Sequence, residues 1–307
     1  MNFDGFVVSD CGAIDNLVTE SHWSANTSAA VADSVRAGND VNCGPDYQDI
    51  PSVVAQGMMT ESDVDRALAR VLSVRFRLGV FDPPDHSPFA HINMSVVGSQ
   101  AHVELATEAA RQGIVLLKND ANVLPLDANA IQNVAVIGPQ SDDELVLLGN
   151  YHGTPTHVPI TPLAALTQAL GKDKVKSAAG CWVQGEGTWK FGDAVRLAAA
   201  ADVAIIFVGS SSKGTNISQP NLLSPATEKE SLDRSSLLLP GVQLDLIKAI
   251  AKRTDTRIVV VLVNGGAIDV EWMVKSDRVA AIVEAWSAFS VALFHIHPPF
   301  GSEYSAC

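Results

Sequence analysis

The chain has 307 residues, 47% of them hydrophobic, which is enough apolar material for two domains of ordinary size and argues against disorder. Its 21 basic and 34 acidic residues give a formal charge of -13, and this repels phosphate backbones and anionic lipid surfaces. Nucleic acid and membrane partners are therefore not expected, no apolar run reaches the length of a membrane span, and neutral substrates remain compatible with the charge.

The first segment, Gly5-Phe6-Val7-Val8-Ser9-Asp10, is short, β-branched and aromatic, and it gives way to polar residues and Gly12, as a buried parallel strand would. Ala29 to Ala37 follows with helical spacing and is closed by Gly38; Asp40-Val41-Asn42-Cys43-Gly44 then reads as a second brief strand. Strand, helix and strand make a βαβ unit of the kind that builds parallel sheets and barrels. A further helix is predicted from Thr60, an N-cap with Asp63 in the first turn, to Leu78, stopping at Gly79. The run Asp82-Pro83-Pro84-Asp85-His86-Ser87-Pro88 breaks regular structure and marks a linker extending to about residue 100.

Beyond the linker a larger module begins. A helix from Ala101 to Gln112 leads to Ile114-Val115-Leu116-Leu117, and later strands are expected at 134–138, 203–209 and 258–263. Each is a continuous apolar run, so each is expected to be buried on both faces. Helical stretches lie between them at 162–170, 191–201 and 242–252, which predicts an α/β sandwich around a mostly parallel sheet with ligands at the C-terminal strand ends.

Asp10 stands at the end of its strand, where barrel enzymes place catalytic groups; it could equally cap the following turn, as Gly12 and Asp15 allow. Thr227-Glu228-Lys229-Glu230-Ser231-Leu232-Asp233-Arg234 sits in a polar stretch after the strand that ends at Gly209. It is either a charged surface loop or a site. Cys11, Cys43, Cys181 and Cys307 lack the spacing of a zinc site; in a secreted protein they could form one or two bridges whose connectivity the sequence leaves open. No metal is expected on that spacing, and no cofactor either: neither G-x-G-x-x-G nor a P-loop accompanies the strands, which argues against a nucleotide-binding or oxidoreductase domain. Asn26, Asn93 and Asn216 lie in glycosylation triplets, whereas the start of the chain shows no signal peptide.

Taken together, the motifs carry a resemblance. Gly5-Phe6-Val7-Val8-Ser9-Asp10-Cys11 resembles the nucleophile signature of glycoside hydrolase family 3. Ala37-Gly38-Asn39-Asp40-Val41-Asn42-Cys43-Gly44, Glu228-Lys229-Glu230 followed by Asp233-Arg234, and Leu239-Pro240-Gly241 are similar to its plant-type β-D-xylosidase and α-L-arabinofuranosidase branch. So are the segments 71–79, 113–119, 136–139 and Leu148-Gly149-Asn150-Tyr151, and the match extends to about residue 286. The resemblance implies the C-terminal remnant of a (β/α)8 barrel over 1–81, a linker over 82–100, the family's C-terminal α/β sandwich domain over 101–286 and an atypical tail over 287–307. It also implies Asp10 as nucleophile and Glu228 as general acid/base, with Glu230 the alternative.

The implied reaction is retaining hydrolysis that releases terminal β-D-xylose, or α-L-arabinofuranose, from xylan-derived oligosaccharides, with an oligosaccharide or aryl glycoside as the binding partner. Such chemistry needs two carboxyls roughly 5 to 5.5 Å apart, one ionised and one protonated. A β-glucosidase of the same family and an inactive carbohydrate-binding fragment are the other readings. Only two of the eight strand–helix units of a barrel can be fitted, so the chain is expected to be a piece of a longer, secreted, cell-wall protein. The stretch Lys213 to Ser224 is longer than the resemblance implies.

Overall fold

The computed structural model describes residues 3–155, 159–213 and 226–286. Asn216, nearly all of the stretch from Lys213 to Ser224 and the tail over 287–307 lie outside them. Two compact units divide the chain, Met1–Met94 and Ser95–Cys307.

The first unit is held by four helices, α1 (Ala13–Thr19), α2 (Thr27–Ala37), α3 (Ile50–Ala55) and α4 (Glu61–Arg77). Asn26 caps α2 through Ala29 N, and Gly38 ends it in the left-handed conformation at φ 103°. Thr60 and Asp63 form a reciprocal capping box on α4. Hydrogen bonds to Asp63 from the Thr60 backbone and then its hydroxyl, reinforced by Arg66, lower the Asp63 carboxyl to about 2. The two expected strands shrink to one parallel bridge, Val8 to Val41. Val7 and Val8 are 45% and 54% exposed, so these segments lack the flanking strands that would extend a ladder among the described residues. What fixes them is a buried carboxylate. Asp40 accepts from Val7 N at 2.9 Å and pairs with Arg70 at 3.1 Å, its side chain only 1% exposed. Ala30, Val31, Val35, Val53 and Met59 close the small core around α2.

Among the described residues of the second unit, α5 (Gln100–Gly113) precedes a sheet of six strands: β1 (Val115–Asn119), β2 (Val134–Ile137), β3 (Val175–Ala178), β4 (Val203–Gly209), β5 (Arg257–Val263) and β6 (Val279–Glu284). Four helices accompany them, α6 (Pro162–Leu170), α7 (Phe191–Ala199), α8 (Gln243–Arg253) and α9 (Glu271–Lys275). The spatial order is β1-β6-β5-β4-β2-β3, parallel throughout except that β1 runs antiparallel to β6.

Alternation along the central strands builds two cores. Ala204, Ile206 and Val208 of β4 join Ile258, Val260 and Leu262 of β5 beneath α7 and α8, whereas Val203, Ile205, Phe207, Val259, Val261 and Val263 pack on the opposite face with the α6 side chains Leu163 and Leu166. Each such side chain, fully buried, contributes roughly 1.5 to 3 kcal/mol, which is why uninterrupted apolar runs mark these strands.

The expectation of two-sided burial fails for β1. Val115, Leu116 and Leu117 are 43%, 52% and 44% exposed, because β1 is an edge strand with hydrogen bonds on one side only. Strands β3 and β6 were not anticipated from the sequence. The first mixes Lys176 and Ser177 into an edge and so presents no apolar run, whereas the second does carry one, Val279 to Val283, bounded by Arg278 and Glu284.

At the C-terminal end of β4 the backbones close together. A Cβ on Gly209 would lie 1.9 Å from Val263 O, and one on Gly138 2.0 Å from Phe207 O. The obstacle is backbone in both cases, so side-chain rotation gives no relief. Gly209→Ala should cost more than about 3 kcal/mol in urea denaturation. A loss below about 1 kcal/mol would show that the strand ends can separate.

Candidate active site

Asp10 lies in the first unit on a fastened loop. Ser9 N donates to Val41 O at 2.9 Å, Gly12 N to Cys43 O at 2.9 Å and Cys43 N to Ser9 Oγ at 3.0 Å, while a disulfide joins Cys11 to Cys43. Of the bridges the sequence allowed, this is the one among the described residues. Cys181 is free and buried, its thiol pushed up to about 12 by desolvation. Asp10 itself is exposed, and its Oδ1 accepts from Cys11 N at 2.8 Å. That bond reaches only the adjacent amide, so it is not a cap of the following turn: Gly12 N is taken by Cys43 O, and α1 begins without a side-chain cap. The loop is thus closed from both sides while the carboxylate stays accessible.

Glu228 lies in the second unit, in a pocket of about 810 Å³ at the C-terminal strand ends. The chain returns alongside the end of β4. Thr227 N donates to Ser211 O at 2.8 Å and its hydroxyl accepts from Ser211 N at 2.8 Å, which brings Glu228 opposite Ser210. One carboxylate oxygen of Glu228 takes the Ser210 hydroxyl, and the other pairs with Arg234 Nε. A tight turn through Ser231, at φ 65°, carries the chain onward and lets Arg234 fold back.

Arg234 is held in turn by Ala267 O at 2.8 Å from Nη2. Gly266 leaves the space for this pair, since a Cβ there would stand 2.9 Å from Arg234 Nη2 and 3.4 Å from Glu228 Oε2. The neighbouring Asp233 and Arg234 therefore separate in function: the guanidinium serves Glu228. Glu230 lines the same pocket and is exposed. Asn150 and Tyr151, part of a segment singled out in the sequence, also reach it.

Sequence reasoning missed the polar layer below. Gln140 and Gln243 are fully buried glutamines that lock the strand ends: Gln140 Nε2 donates to Ser210 O at 2.7 Å and Val263 O at 3.1 Å, and Gln243 both accepts from Gly209 N at 2.9 Å and donates to Gly209 O at 2.8 Å. Asn264 donates to Gly266 O at 2.8 Å, tying the glycine turn down. Beside it burial pushes the Glu284 carboxyl above its usual range, against hydrogen bonds from Trp286 N and Asn264. Polar residues next to an apolar run were the available signal, but their partners are 34 to 123 residues away.

Arg234 and Glu228 side chains are 13% and 21% exposed, so breaking their pair strands a largely desolvated carboxylate. Arg234→Met should lower stability by about 2 to 4 kcal/mol in urea denaturation, and adding Glu228→Gln should recover most of it. Equal stability of parent and single variant would mean that the pair is solvated and does not organise the site.

The geometry can be set against known proteins. Residues 1–74 match the glycosyl hydrolase family 3 N-terminal domain, and residues 114–290 match its C-terminal domain. Beta-D-xylosidase 1 of Arabidopsis thaliana is 37% identical over 288 residues, 93% of this chain and 35% of that protein. Beta-xylosidase/alpha-L-arabinofuranosidase 1 of Medicago sativa subsp. varia is 35% identical over 282 residues, 91% of this chain and 34% of its own length. The chain thus spans about a third of these relatives. Among solved structures, the exo-beta-xylosidase XlnD in complex with a xylobiose aziridine activity-based probe aligns with a TM-score of 0.81 at 33% identity, over 94% of this chain and 35% of that one. A β-glucosidase from Erythrobacter marinus aligns at 0.76 and 26%, over 95% of this chain and 40% of its own. On the match of both domains in order, the chain belongs to glycosyl hydrolase family 3.

Proposed function

We propose that this chain supplies both catalytic carboxylates of a retaining β-xylosidase acting on xylan-derived oligosaccharides, with Asp10 as nucleophile and Glu228 as general acid/base. The observation that carries the reading is the clamp on Glu228. A group that must give a proton and take it back needs a fixed position at the mouth of a pocket, and Ser210 and Arg234 hold the two oxygens of Glu228 there. Glu230, on the exposed turn, has no comparable anchorage among the described residues, which favours Glu228 of the two.

In the first step the Asp10 carboxylate attacks the anomeric carbon while the Glu228 carboxyl protonates the departing glycosidic oxygen, leaving a glycosyl ester on Asp10. In the second step Glu228 removes a proton from water, and the resulting attack releases the sugar and frees Asp10. Release of β-D-xylose, with α-L-arabinofuranose as a further substrate, follows the names carried by the plant relatives; the β-glucosidase reading has support from the weaker structural match. The proposal includes the linker role of residues 82–100 between the barrel portion and the sandwich domain. Residence in an oxidising, extracellular compartment is supported by the Cys11–Cys43 disulfide.

In a full-length protein carrying this sequence, a xylo-configured aziridine probe should leave its adduct on Asp10, read by peptide mass spectrometry, and Asp10→Asn should abolish it. An adduct on any other carboxylate removes Asp10 from the role.

Glu228→Ala in the same protein should slow xylosides with poor leaving groups by roughly a hundredfold or more while sparing activated aryl xylosides, because only the former need proton donation. Should Glu230→Ala show that selectivity instead, the acid/base assignment passes to Glu230.

A further inference from the structure

Among the described residues the Asp10 side chain bonds only to the adjacent amide, so its position is inherited from the backbone that carries it. A run of side-chain hydrogen bonds leads away from that backbone. Ser9, the residue before Asp10, accepts at its hydroxyl oxygen from Cys43 N at 3.0 Å and donates to Asn42 Oδ1 at 3.0 Å. Asn42 Nδ2 in turn donates to Asp46 Oδ2 at 3.0 Å. Asp46 is only 7% exposed and opens the short helical turn Asp46–Asp49.

The chemistry of these groups gives the run one direction. A backbone N–H only donates, so Cys43 takes a lone pair of the Ser9 hydroxyl and leaves its proton for Asn42. A carboxylate only accepts, so Asn42 must turn its NH2 toward Asp46 and its carbonyl toward Ser9. Asp46 thus dictates the orientation of the Asn42 amide, and Asn42 that of the Ser9 hydroxyl. Hydrogen bonds in such a series polarise one another, and the bond to the carboxylate is the strongest kind among them.

The surroundings preserve the arrangement. A Cβ on Gly44 would stand 3.1 Å from Asp46 Oδ2 and 3.3 Å from Asn42 Nδ2, so glycine leaves the pair its room. Asn39 Nδ2 donates to the Tyr47 hydroxyl at 2.8 Å, and that hydroxyl donates to Asn39 O at 2.8 Å, which fastens segment 39–47 to itself and makes Asn42 a fixed point. Among the described residues Asp46 has no ion-pair partner. Burying a carboxylate without a cation is a costly way to hold a turn, and polar groups kept at such a cost cluster at functional sites.

We propose that Asp46 and Asn42 are positioning residues for the nucleophile: acting through Ser9, they hold Asp10 where its carboxylate reaches the anomeric carbon. The role rests on the reading of Asp10 as nucleophile. Misplacing a reacting group by about 1 Å can slow a reaction roughly a hundredfold, while groups that bind the sugar elsewhere are untouched. Loss of the run therefore falls on the rate of bond formation and spares binding.

The test is timed labelling of the full-length protein carrying this sequence with the xylo-configured aziridine probe, which yields a maximal rate constant and a half-saturating probe concentration for the molecules that react. Asn42→Asp sets a second carboxylate against Asp46 and should lower the rate constant roughly tenfold or more at unchanged half-saturation. Adding Asp46→Asn exchanges donor and acceptor, so that the new amide donates to the new carboxylate, and should return the rate constant to near that of the parent. A merely structural role would reduce the fraction of molecules that react and leave their rate constant as in the parent. Should Asn42→Asp yield too little folded protein, Asp46→Ala takes its place with the same expected loss. A parental rate constant in these variants, or a double variant no faster than Asn42→Asp, would overturn the positioning role. Peptide mass spectrometry separates this from the nucleophile itself: label on Asp10 at parental rates in every variant overturns only the positioning, whereas label on another carboxylate removes Asp10 and the positioning role with it.

Discussion

The second unit depends on how closely β4 can approach its parallel neighbours at their C-terminal ends. Gly209 and Gly138 give up their side chains to backbone carbonyls of adjacent strands, and this close approach holds Ser210, buried, at the C-terminal end of the central strand β4. Parallel strands leave their last amides and carbonyls pointing at whatever lies beyond the sheet. Here Gln140 and Gln243 satisfy several of them from within the core, so the strand ends stay dry and fixed without a ligand. Ser210 can then offer its hydroxyl to Glu228, and the 227–234 turn has a rigid surface to lie on. Gly266 completes the arrangement from β5 by its lack of a side chain.

The first unit solves a similar problem with fewer residues. Its strand-like segments are too short to hold themselves by a ladder, and Asp40 substitutes for one. A single carboxylate, desolvated and paired with Arg70 on α4, binds the backbone of the opposite segment at Val7. The disulfide then ties the residue after Asp10 to the same partner segment. Closing a loop of this length removes about 3 to 4 kcal/mol of chain entropy from the unfolded state. Asp10 is the exposed residue between these two fastenings, so its loop is constrained while its carboxylate meets solvent. The nucleophile and acid/base candidates are thus positioned by different means, covalent closure in one unit and a buried polar layer in the other.

The loop between β3 and α7 belongs to the same logic. Gln243 bonds to this loop at Val183 O and to the end of β4 at once, so a change in either would be felt by the other.

By itself the sequence determined the elements whose signals are local. Uninterrupted apolar runs marked β2, β4 and β5, and caps and glycine stops marked α2 and α4. It also brought Asp10, Glu228 and Glu230 forward, through motifs that lie close together in the chain. The tertiary structure decided what depends on distant partners. It made β1 an exposed edge although Val115, Leu116 and Leu117 form an apolar run, and it reduced the segments around Val8 and Val41 to one bridge. It paired Arg234 with Glu228, and it placed Gln140 and Gln243 under the strand ends. Burial and hydrogen-bond satisfaction are set by which strand lies beside which, and that choice is made by the whole sheet, so no window of sequence contains it.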